Sequence, residues 1–163
     1  MTKSIRKPLR AAAALAACTA ACTAFLAGCG SGDGYNLTKP PFAGNPACDT
    51  LTGKLPDELG GHSLEKSNVA GAAAWGDGDI ILYCGMPAPD TSDNCSTEGG
   101  IDWVAQKPAD DRTAKMFSTQ GRSPSVQVRF RNETTDPSAV LPSLAPAMKD
   151  IKADGKGCDD AKS

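Results

Sequence analysis

Few side chains in this sequence could carry acid–base catalysis. The chain has one histidine, His62, and a Ser-His-Asp or Cys-His mechanism would have to use it as the base. No Gly-x-Ser-x-Gly nucleophile elbow accompanies it. Asp102, Asp110 and Asp111 could supply the paired carboxylates of a small hydrolase. Because clustered acids in loops are usually only solvated, we expect no catalytic residues and no enzyme.

Two patterns could bind metal ions, and both are weak. Asp77 and Asp79 flank Gly78, but calcium needs six or more oxygen ligands, usually from a spaced series. An Asp-Gly pair more often forms a hairpin turn. A zinc site of cysteines with His62 is disfavoured by the wide spacing of the cysteines. We therefore expect no metal and no cofactor.

The first 28 residues have the layout of a secretory signal peptide. Four basic residues and no acid occupy the first ten positions, and an alanine-rich apolar run spans Ala11–Ala27. The run ends in Leu26-Ala27-Gly28-Cys29, which resembles the lipobox of bacterial lipoproteins. There the cysteine thiol receives a diacylglycerol and the chain is cut just before it, because two acyl chains anchor stably where one does not. The alternative is a plain secreted protein with a chance cysteine.

This pattern predicts a signal peptide at 1–28 and a lipidated Cys29 at the extracytoplasmic face of the cell membrane. The remaining 135 residues are enough for one domain and carry 13 Lys and Arg against 19 Asp and Glu, a net charge of −6 with histidine neutral. Nucleic-acid binding selects basic faces, so we expect no nucleic-acid partner. The expected partners are the membrane, through Cys29, and an envelope protein or cell-wall component.

Four cysteines follow the lipidation site, namely Cys48, Cys84, Cys95 and Cys158. An even number in an exported chain predicts two disulfides. The sequence permits three pairings. We favour Cys84–Cys95, which closes a short loop rich in Pro and Asp, and Cys48–Cys158, which would tie the two ends of the domain together.

Helical patterns stand at both ends of the domain. Asn45-Pro46 predicts an N-cap and first turn, and leucines every fourth residue predict a helix that Pro56 kinks and Gly60-Gly61 end. Asp136-Pro137 predicts a second helix, and Pro142 is expected to break it into two pieces.

Strand patterns lie between these helices. The clearest is the stretch SVQVRFRN at 125–132, in which Val126, Val128 and Phe130 alternate with polar residues. Apolar, β-branched runs predict further strands on both sides of the Asp77-Gly78 turn, the second at 79–84, and others at 101–106 and 114–118, with a loop at 86–97.

The order of these elements predicts an α+β fold. We expect an antiparallel β-sheet with the N-terminal and C-terminal helices packed on one face, stapled by disulfides. The predicted organisation is a signal peptide at 1–28, the lipidated cysteine and a flexible tether at 29–45, one domain at 46–158, and a tail at 159–163.

Three arginines surround the late strand, namely Arg122, Arg129 and Arg131. Arg129 and Arg131 are expected on its outer face. Together the three could form a patch that binds an anion or a partner. The alternative is a solvated strand face that discourages edge pairing.

Short motifs across the domain together resemble one known family. They are Ala47-Cys48, Leu55-Pro56, Leu59-Gly60, Ala74-Trp75-Gly76-Asp77, Ile81-x-x-Cys84-Gly85-x-Pro87-x-Pro89 and Ile101-Asp102-Trp103. This set resembles an actinobacterial family of envelope proteins known only as domain of unknown function 3515, over about residues 48–158. The resemblance implies an exported or membrane-anchored protein of unassigned activity, and it supplies no catalytic residues.

Taken together, these features favour a non-catalytic binding or interaction module of the cell envelope, anchored as a lipoprotein. Two alternatives stay open. One is a small envelope hydrolase that uses the loop carboxylates, and the other is a ligand-carrying lipoprotein with an apolar pocket.

Overall fold

Capping residues and tight turns set the bounds of the helices and strands. The computed structural model describes residues 35–65, 67–90 and 94–159. In chain order the elements are α1 (Pro46–Thr52), β1 (Glu58–Leu59), β2 (His62–Glu65), β3 (Ala72–Trp75), β4 (Ile80–Met86), β5 (Cys95–Glu98), β6 (Ile101–Gln106), β7 (Lys115–Thr119), β8 (Arg122–Ser123), β9 (Ser125–Phe130), α2 (Pro137–Leu144), a 3-10 helix (Ala147–Asp150) and β10 (Lys152–Ala153).

Eight of the ten strands build one antiparallel sheet, in the order β1-β2-β3-β4-β9-β7-β6-β5, and β8 pairs with β10 in a separate two-stranded ladder. Every pairing is antiparallel. The centre of the sheet is the pair β4 and β9, whose register runs from Ile80 opposite Phe130 to Met86 opposite Ser125. The α+β class and the antiparallel sheet are therefore confirmed.

Both faces of β4 are buried, which explains why its sequence is apolar throughout. Ile80 and Leu82 belong to the main core cluster, while Ile81 and Tyr83 belong to a second cluster. Successive residues of a strand point to opposite faces, so the two clusters lie on opposite sides of the sheet. Both helices contribute buried side chains to the main cluster, namely Cys48 and Leu51 of α1 and Val140, Leu141 and Leu144 of α2.

The second cluster is covered by the segment before α1. Tyr35 is buried and packs in this cluster, with Leu37 beside it. The Tyr35 hydroxyl donates to Glu65 Oε2 at 3.0 Å, and the backbone of Phe42 donates to the Gly85 carbonyl at 2.9 Å. Residues 35–45 thus form part of the folded domain, whereas the sequence predicted that the tether would extend over 29–45.

The first helix starts as predicted and ends early. Asn45 Oδ1 accepts a hydrogen bond from the Ala47 backbone at 3.0 Å, as an N-cap does. The helix stops at Thr52, and Leu59 lies in strand β1 instead of on a helical stripe. Gly60 and Gly61 both have positive φ and form the tight β1–β2 turn, a conformation that glycine adopts at little cost.

The second helix also starts as predicted, because Asp136 Oδ1 accepts from the Ser138 backbone at 3.0 Å. Pro142 does not break it, since α2 runs through to Leu144 with this proline inside its last turn. The following piece is a short 3-10 helix. No helix among the described residues is long and apolar enough to cross a membrane; the predicted signal peptide and Cys29 lie outside the described range.

The strands with apolar or alternating sequences occur where they were predicted, as β3, β4, β6, β7 and β9. The other five strands, β1, β2, β5, β8 and β10, were not predicted as strands. Strand β2 lies in a stretch that was assigned to no element, and β5 lies at the end of the predicted loop. The sequence of β5, Cys-Ser-Thr-Glu, has no apolar alternation, and it becomes a strand by pairing with the edge of β6.

The four cysteines form two disulfides, but the favoured pairing is wrong. The structure joins Cys48 to Cys84 and Cys95 to Cys158, across sequence separations of 36 and 63 residues. Three strands stand between β4, which holds Cys84, and β5, which holds Cys95. At about 4.8 Å per strand the two lie about 19 Å apart, whereas a disulfide needs a Cα separation of about 5.5 Å.

The observed pairing gives a direct test. In a Cys48→Ala variant, alkylation of the denatured, unreduced protein should label Cys84, and in Cys158→Ala it should label Cys95. A protease that cuts before aspartate separates Cys84 from Cys95 at Asp90 and Asp93. Each variant should also lose about 2–5 kcal/mol of unfolding free energy, measured by denaturant titration. Labelling of Cys158 in the Cys48→Ala variant would contradict the structure.

Candidate functional site

The three arginines of the predicted patch do not form one surface. Arg122 lies in β8, before strand β9, while Arg129 lies near the other end of β9 and Arg131 follows it. The six residues of β9, about 20 Å of extended chain at about 3.3 Å per residue, run between Arg122 and Arg131. The predicted grouping is therefore split into two regions with different chemistry.

At the far end of β9, Arg129 is held by a neighbouring carboxylate. Its Nη2 donates to Asp110 Oδ1 in a close ion pair. The hydrogen bond from Arg129 is the main reason that the pKa of Asp110 is lowered from its ordinary value. Because its guanidinium is already paired in this way, Arg129 is not a free anion-binding group, although it stays partly accessible.

Arg122 occupies a more open position, where three surface cavities meet. Its Nη1 donates to the Ile151 carbonyl at 2.8 Å, which fixes the side chain and leaves its other N–H donors for further contacts. The surface around Arg122 is therefore the best candidate for a binding region.

The first cavity at Arg122 is an apolar groove of about 420 Å³, called here the Phe42 groove. Phe42 has 59% of its surface exposed and is the one exposed large hydrophobic side chain among the described residues. The other residues that line the Phe42 groove are Asn45, Met86, Pro87, Ala88, Arg122, Ser123, Pro124, Ser125 and Asp154.

The second cavity is smaller and polar, and it is called here the Gln120 cleft. It measures about 250 Å³ and is lined by Asp102, Gln120, Arg122, Lys156 and the small residues Gly100, Gly121, Ala153, Gly155 and Gly157. Gln120 is 7% exposed, and its Oε1 is buried without a hydrogen-bond partner. Trp103 Nε1 and Arg129 Nε are also unpartnered, but of the three residues only Gln120 lines one of the cavities described here.

The third cavity at Arg122 measures about 470 Å³ and lies against α2 and the 3-10 helix, where Pro142 and Met148 line it. A separate groove of about 380 Å³ lies between the ends of β6 and β7, with Met116 and Phe117 on its apolar side. Its cationic lining residues are Lys107, Arg112 and Lys115.

The three candidate catalytic carboxylates are engaged in separate contacts. Asp102 accepts hydrogen bonds from the Thr97 hydroxyl and the Cys158 backbone, while Asp110 binds Arg129. Asp111 accepts from the side chain and backbone of Thr113, which lowers the pKa of this carboxyl. A general acid needs a raised pKa, so Asp110 and Asp111 are poorly suited to that role.

His62 also lacks the contacts of a catalytic base. Its Nδ1 lies 3.6 Å from Asp79 Oδ2, and among the described residues no serine or cysteine side chain is hydrogen-bonded to it. Asp77, Gly78 and Asp79 form the β3–β4 hairpin turn. This is the role that the sequence favoured over calcium binding. Within the described part of the chain, no cluster of three or more His, Cys, Asp or Glu could hold a metal ion.

Sequence reasoning identified Arg122 but missed Phe42 and Gln120. Phe42 lies beside two prolines in a segment that was interpreted as a linker, so its place at the edge of a folded groove was not predicted. Gln120 directly follows β7, and only its burial distinguishes it from any other polar residue at a strand end.

Comparison with known proteins identifies a family but no described function. A family model described as "Protein of unknown function (DUF3515)" matches residues 11–154, most of the chain. Neither the curated proteins nor the solved structures that were searched give a match. The match confirms the resemblance seen in the sequence motifs, and the chain belongs to the DUF3515 family of proteins of unknown function.

Proposed function

We propose that this protein is a lipoprotein of the cell envelope, anchored through Cys29 on the extracytoplasmic face, and that it acts as a non-catalytic binding module. The signal-like sequence and the Leu-Ala-Gly-Cys motif support the anchor. The two disulfides support export, because disulfides persist in oxidising compartments and are rare in the cytosol.

The observation that carries the binding role is the exposure of Phe42. A phenylalanine residue with 59% of its surface exposed is costly to leave in water, because burying its side chain contributes about 1.5–3 kcal/mol. Aromatic residues and arginines are enriched in the energetic centres of protein interfaces. The Phe42 groove combines both, since Arg122 lines it together with Met86 and Pro124. The proposed occupant is an envelope protein.

The proposed arrangement of the helices leaves this groove accessible. We place α1 and α2 on one face of the sheet, because both contribute to the main core cluster with Ile80 and Leu82. The segment that carries Phe42 is bonded to Gly85, next to Tyr83 of the second cluster. The groove therefore lies where the N-terminal segment meets β4 and the residues before β9.

A hydrolase is less well supported. The loop carboxylates have separate partners, and the lowered pKa values of Asp110 and Asp111 favour their charged forms, whereas glycoside hydrolysis needs one protonated carboxyl as the acid. A ligand-binding role has one observation in its favour, which is the polar cleft whose lining includes Asp102, Arg122 and Lys156.

The anchor is tested by Cys29→Ala in the native cells. We expect the variant to be released from the membrane or to accumulate as an uncut precursor, because the thiol that receives the lipid is missing. Membrane fractionation and intact mass measure both outcomes. Cys22→Ala, a matched change inside the signal peptide, should leave anchoring intact. A Cys29→Ala protein that is correctly cut and still membrane-bound would refute the anchor.

The Phe42 groove is tested by placing a photo-cross-linking phenylalanine analogue at position 42 in living cells. We expect one discrete cross-linked protein species, which mass spectrometry identifies. A control analogue at Ala139, an exposed position on α2, should not give this species.

A second change in the same groove completes the test. Met86→Glu places a charge on the apolar lining, so it should abolish the cross-link at position 42. Because Met86 also packs against the second cluster, the melting temperature should fall somewhat, and circular dichroism checks that the variant is folded. The same species at both positions, or a cross-link that survives Met86→Glu in the folded protein, would contradict the proposed interface.

A further inference from the structure

We propose that the groove between the ends of β6 and β7, called here the Lys115 groove, lies against anionic headgroups of the membrane that holds the lipid anchor. The inference rests on the anchoring through Cys29 proposed above, and it adds a second membrane contact that orients the domain. It follows from the length of chain between Cys29 and the domain, from the register of the sheet, and from the side chains that line the groove.

The chain enters the folded domain only six residues after Cys29, at Tyr35. Tyr35 is buried, and its hydroxyl donates to Glu65 Oε2 at 3.0 Å. Its ring packs so closely on the β3–β4 turn that a Cβ at Gly78 would lie 2.3 Å from Tyr35 Cδ1. Because a fully extended chain advances about 3.3–3.6 Å per residue, a lipid on Cys29 holds Tyr35 within about 22 Å of the membrane surface.

The register of the central strands places the Lys115 groove at the same end of the sheet as Tyr35. The β3–β4 turn, on which Tyr35 packs, leads into Ile80 at the start of β4. Ile80 lies opposite Phe130 of β9, and Phe130 lies opposite Lys115 of β7. Lys115 is therefore two strand spacings, about 10 Å, across the sheet from Ile80. Strand β6 ends beside the start of β7, so the whole groove lies at the end of the sheet that the anchor holds near the membrane.

The lining of the Lys115 groove combines cations with apolar side chains. Lys107, Arg112 and Lys115 line it without any acidic residue, and none of the three forms a salt bridge within the described part of the chain. Met116 and Phe117 are partly exposed and supply the apolar wall. Cations close to an anionic membrane surface are attracted to it, and long basic side chains cover apolar surface while their charged ends stay at the headgroups.

Nearby acidic residues decide which part of this end meets the membrane. Asp110 is paired with an arginine of β9, so that pair adds no net charge, and Asp111 accepts hydrogen bonds from the side chain and backbone of Thr113. The β3–β4 turn carries Asp77 and Asp79, which anionic headgroups would repel. The contact is therefore made by the β6–β7 side of this end and not by the turn.

The lipid anchor makes a weak second contact sufficient. Basic clusters that recruit proteins to anionic lipid by themselves usually contain about four to eight Lys or Arg residues, and the Lys115 groove has three. Because a lipid on Cys29 would already hold the domain at the surface, the groove meets the headgroups at a high effective concentration. The contact therefore sets the orientation of the domain more than its attachment.

This orientation keeps the Phe42 groove accessible to a protein partner. The backbone of Phe42 is bonded to Gly85, which lies about 17 Å along β4 from Ile80 at about 3.3 Å per residue. Arg122 follows β7 at the end opposite Lys115. With the Lys115 groove on the bilayer, the Phe42 groove lies on the side away from the membrane.

The test uses the protein purified from its own membranes and placed in nanodiscs that contain a trace of lipid with a gadolinium-chelating headgroup. The amide signals of Thr113 and Met116 should broaden more than those of Gly121 and Ser123, which follow the other end of β7. Their broadening should be at least twofold larger in equal parts of phosphatidylcholine and phosphatidylglycerol than in phosphatidylcholine alone, although the net charge of −6 by itself would favour the opposite. High salt should remove the increase. Equal broadening in the two lipids would overturn the proposal.

Charge reversals separate the groove from the overall charge of the protein. The groove variant, in which Lys107, Arg112 and Lys115 are all changed to glutamate, should lose the increase that phosphatidylglycerol causes. The control variant changes three exposed lysines beyond the other end of β7 by the same total charge, namely Lys149→Glu, Lys152→Glu and Lys156→Glu, and it should keep the increase. The amide spectra show directly that both variants are folded. A groove variant that keeps the increase, or a control variant that loses it, would refute docking at the groove.

The same samples distinguish this proposal from the anchor on which it rests. A chain that elutes together with discs of both compositions, but shows no effect of phosphatidylglycerol, would refute the docking and leave the anchor intact. A chain that carries no lipid and elutes apart from the discs would refute the anchor and, with it, this orientation.

Discussion

The Cys95–Cys158 disulfide holds a part of the chain that apolar packing alone would not hold. Among residues 152–157 none is buried, and β10 is a two-residue strand paired only with β8. The disulfide fixes the end of this segment to the edge strand β5, and the Cys158 backbone then meets Asp102. Without this bond the wall of the Gln120 cleft would keep only its backbone contacts. Cys48–Cys84 plays the corresponding part for α1, a seven-residue helix that is too short to be stable alone.

The position of the candidate sites follows from how the sheet is covered. The main core lies on one face of β4 and the second cluster, which contains Tyr35, lies on the other, so both faces of β4 are buried. The accessible grooves are consequently displaced to the ends of strands and to the places where covering segments meet. Arg122 lies at such a place, between the N-terminal segment, β10 and the 3-10 helix. A site at this junction can be altered by changes in loop residues without disturbing the core.

The sequence correctly predicted those elements that are stabilised by contacts between neighbouring residues. Predictions that depend on how distant segments pair were wrong. Asn45-Pro46 and Asp136-Pro137 mark helix starts because capping is a contact between neighbouring residues. The predicted Cys84–Cys95 pairing was wrong because β9, which comes later in the chain, lies next to β4. Strands β9, β7 and β6 therefore separate β4 from β5. The prediction of one arginine patch was wrong for the same kind of reason, because Arg129 forms an ion pair with Asp110, a loop residue that is distant in sequence. Gln120 could not be recognised, because an unpartnered buried oxygen is a property of the packed structure.

We propose that this chain is an exported lipoprotein, and its folded domain is closed by two disulfides. The most direct measurement is the intact mass of the protein extracted from its own membranes without reductant. We expect a chain that begins at Cys29, carries a diacylglyceryl group and lacks four hydrogens relative to the reduced form, as two disulfides require. A chain that retains residues 1–28, or one with four free thiols and no lipid, would show that the protein is not a disulfide-bonded lipoprotein.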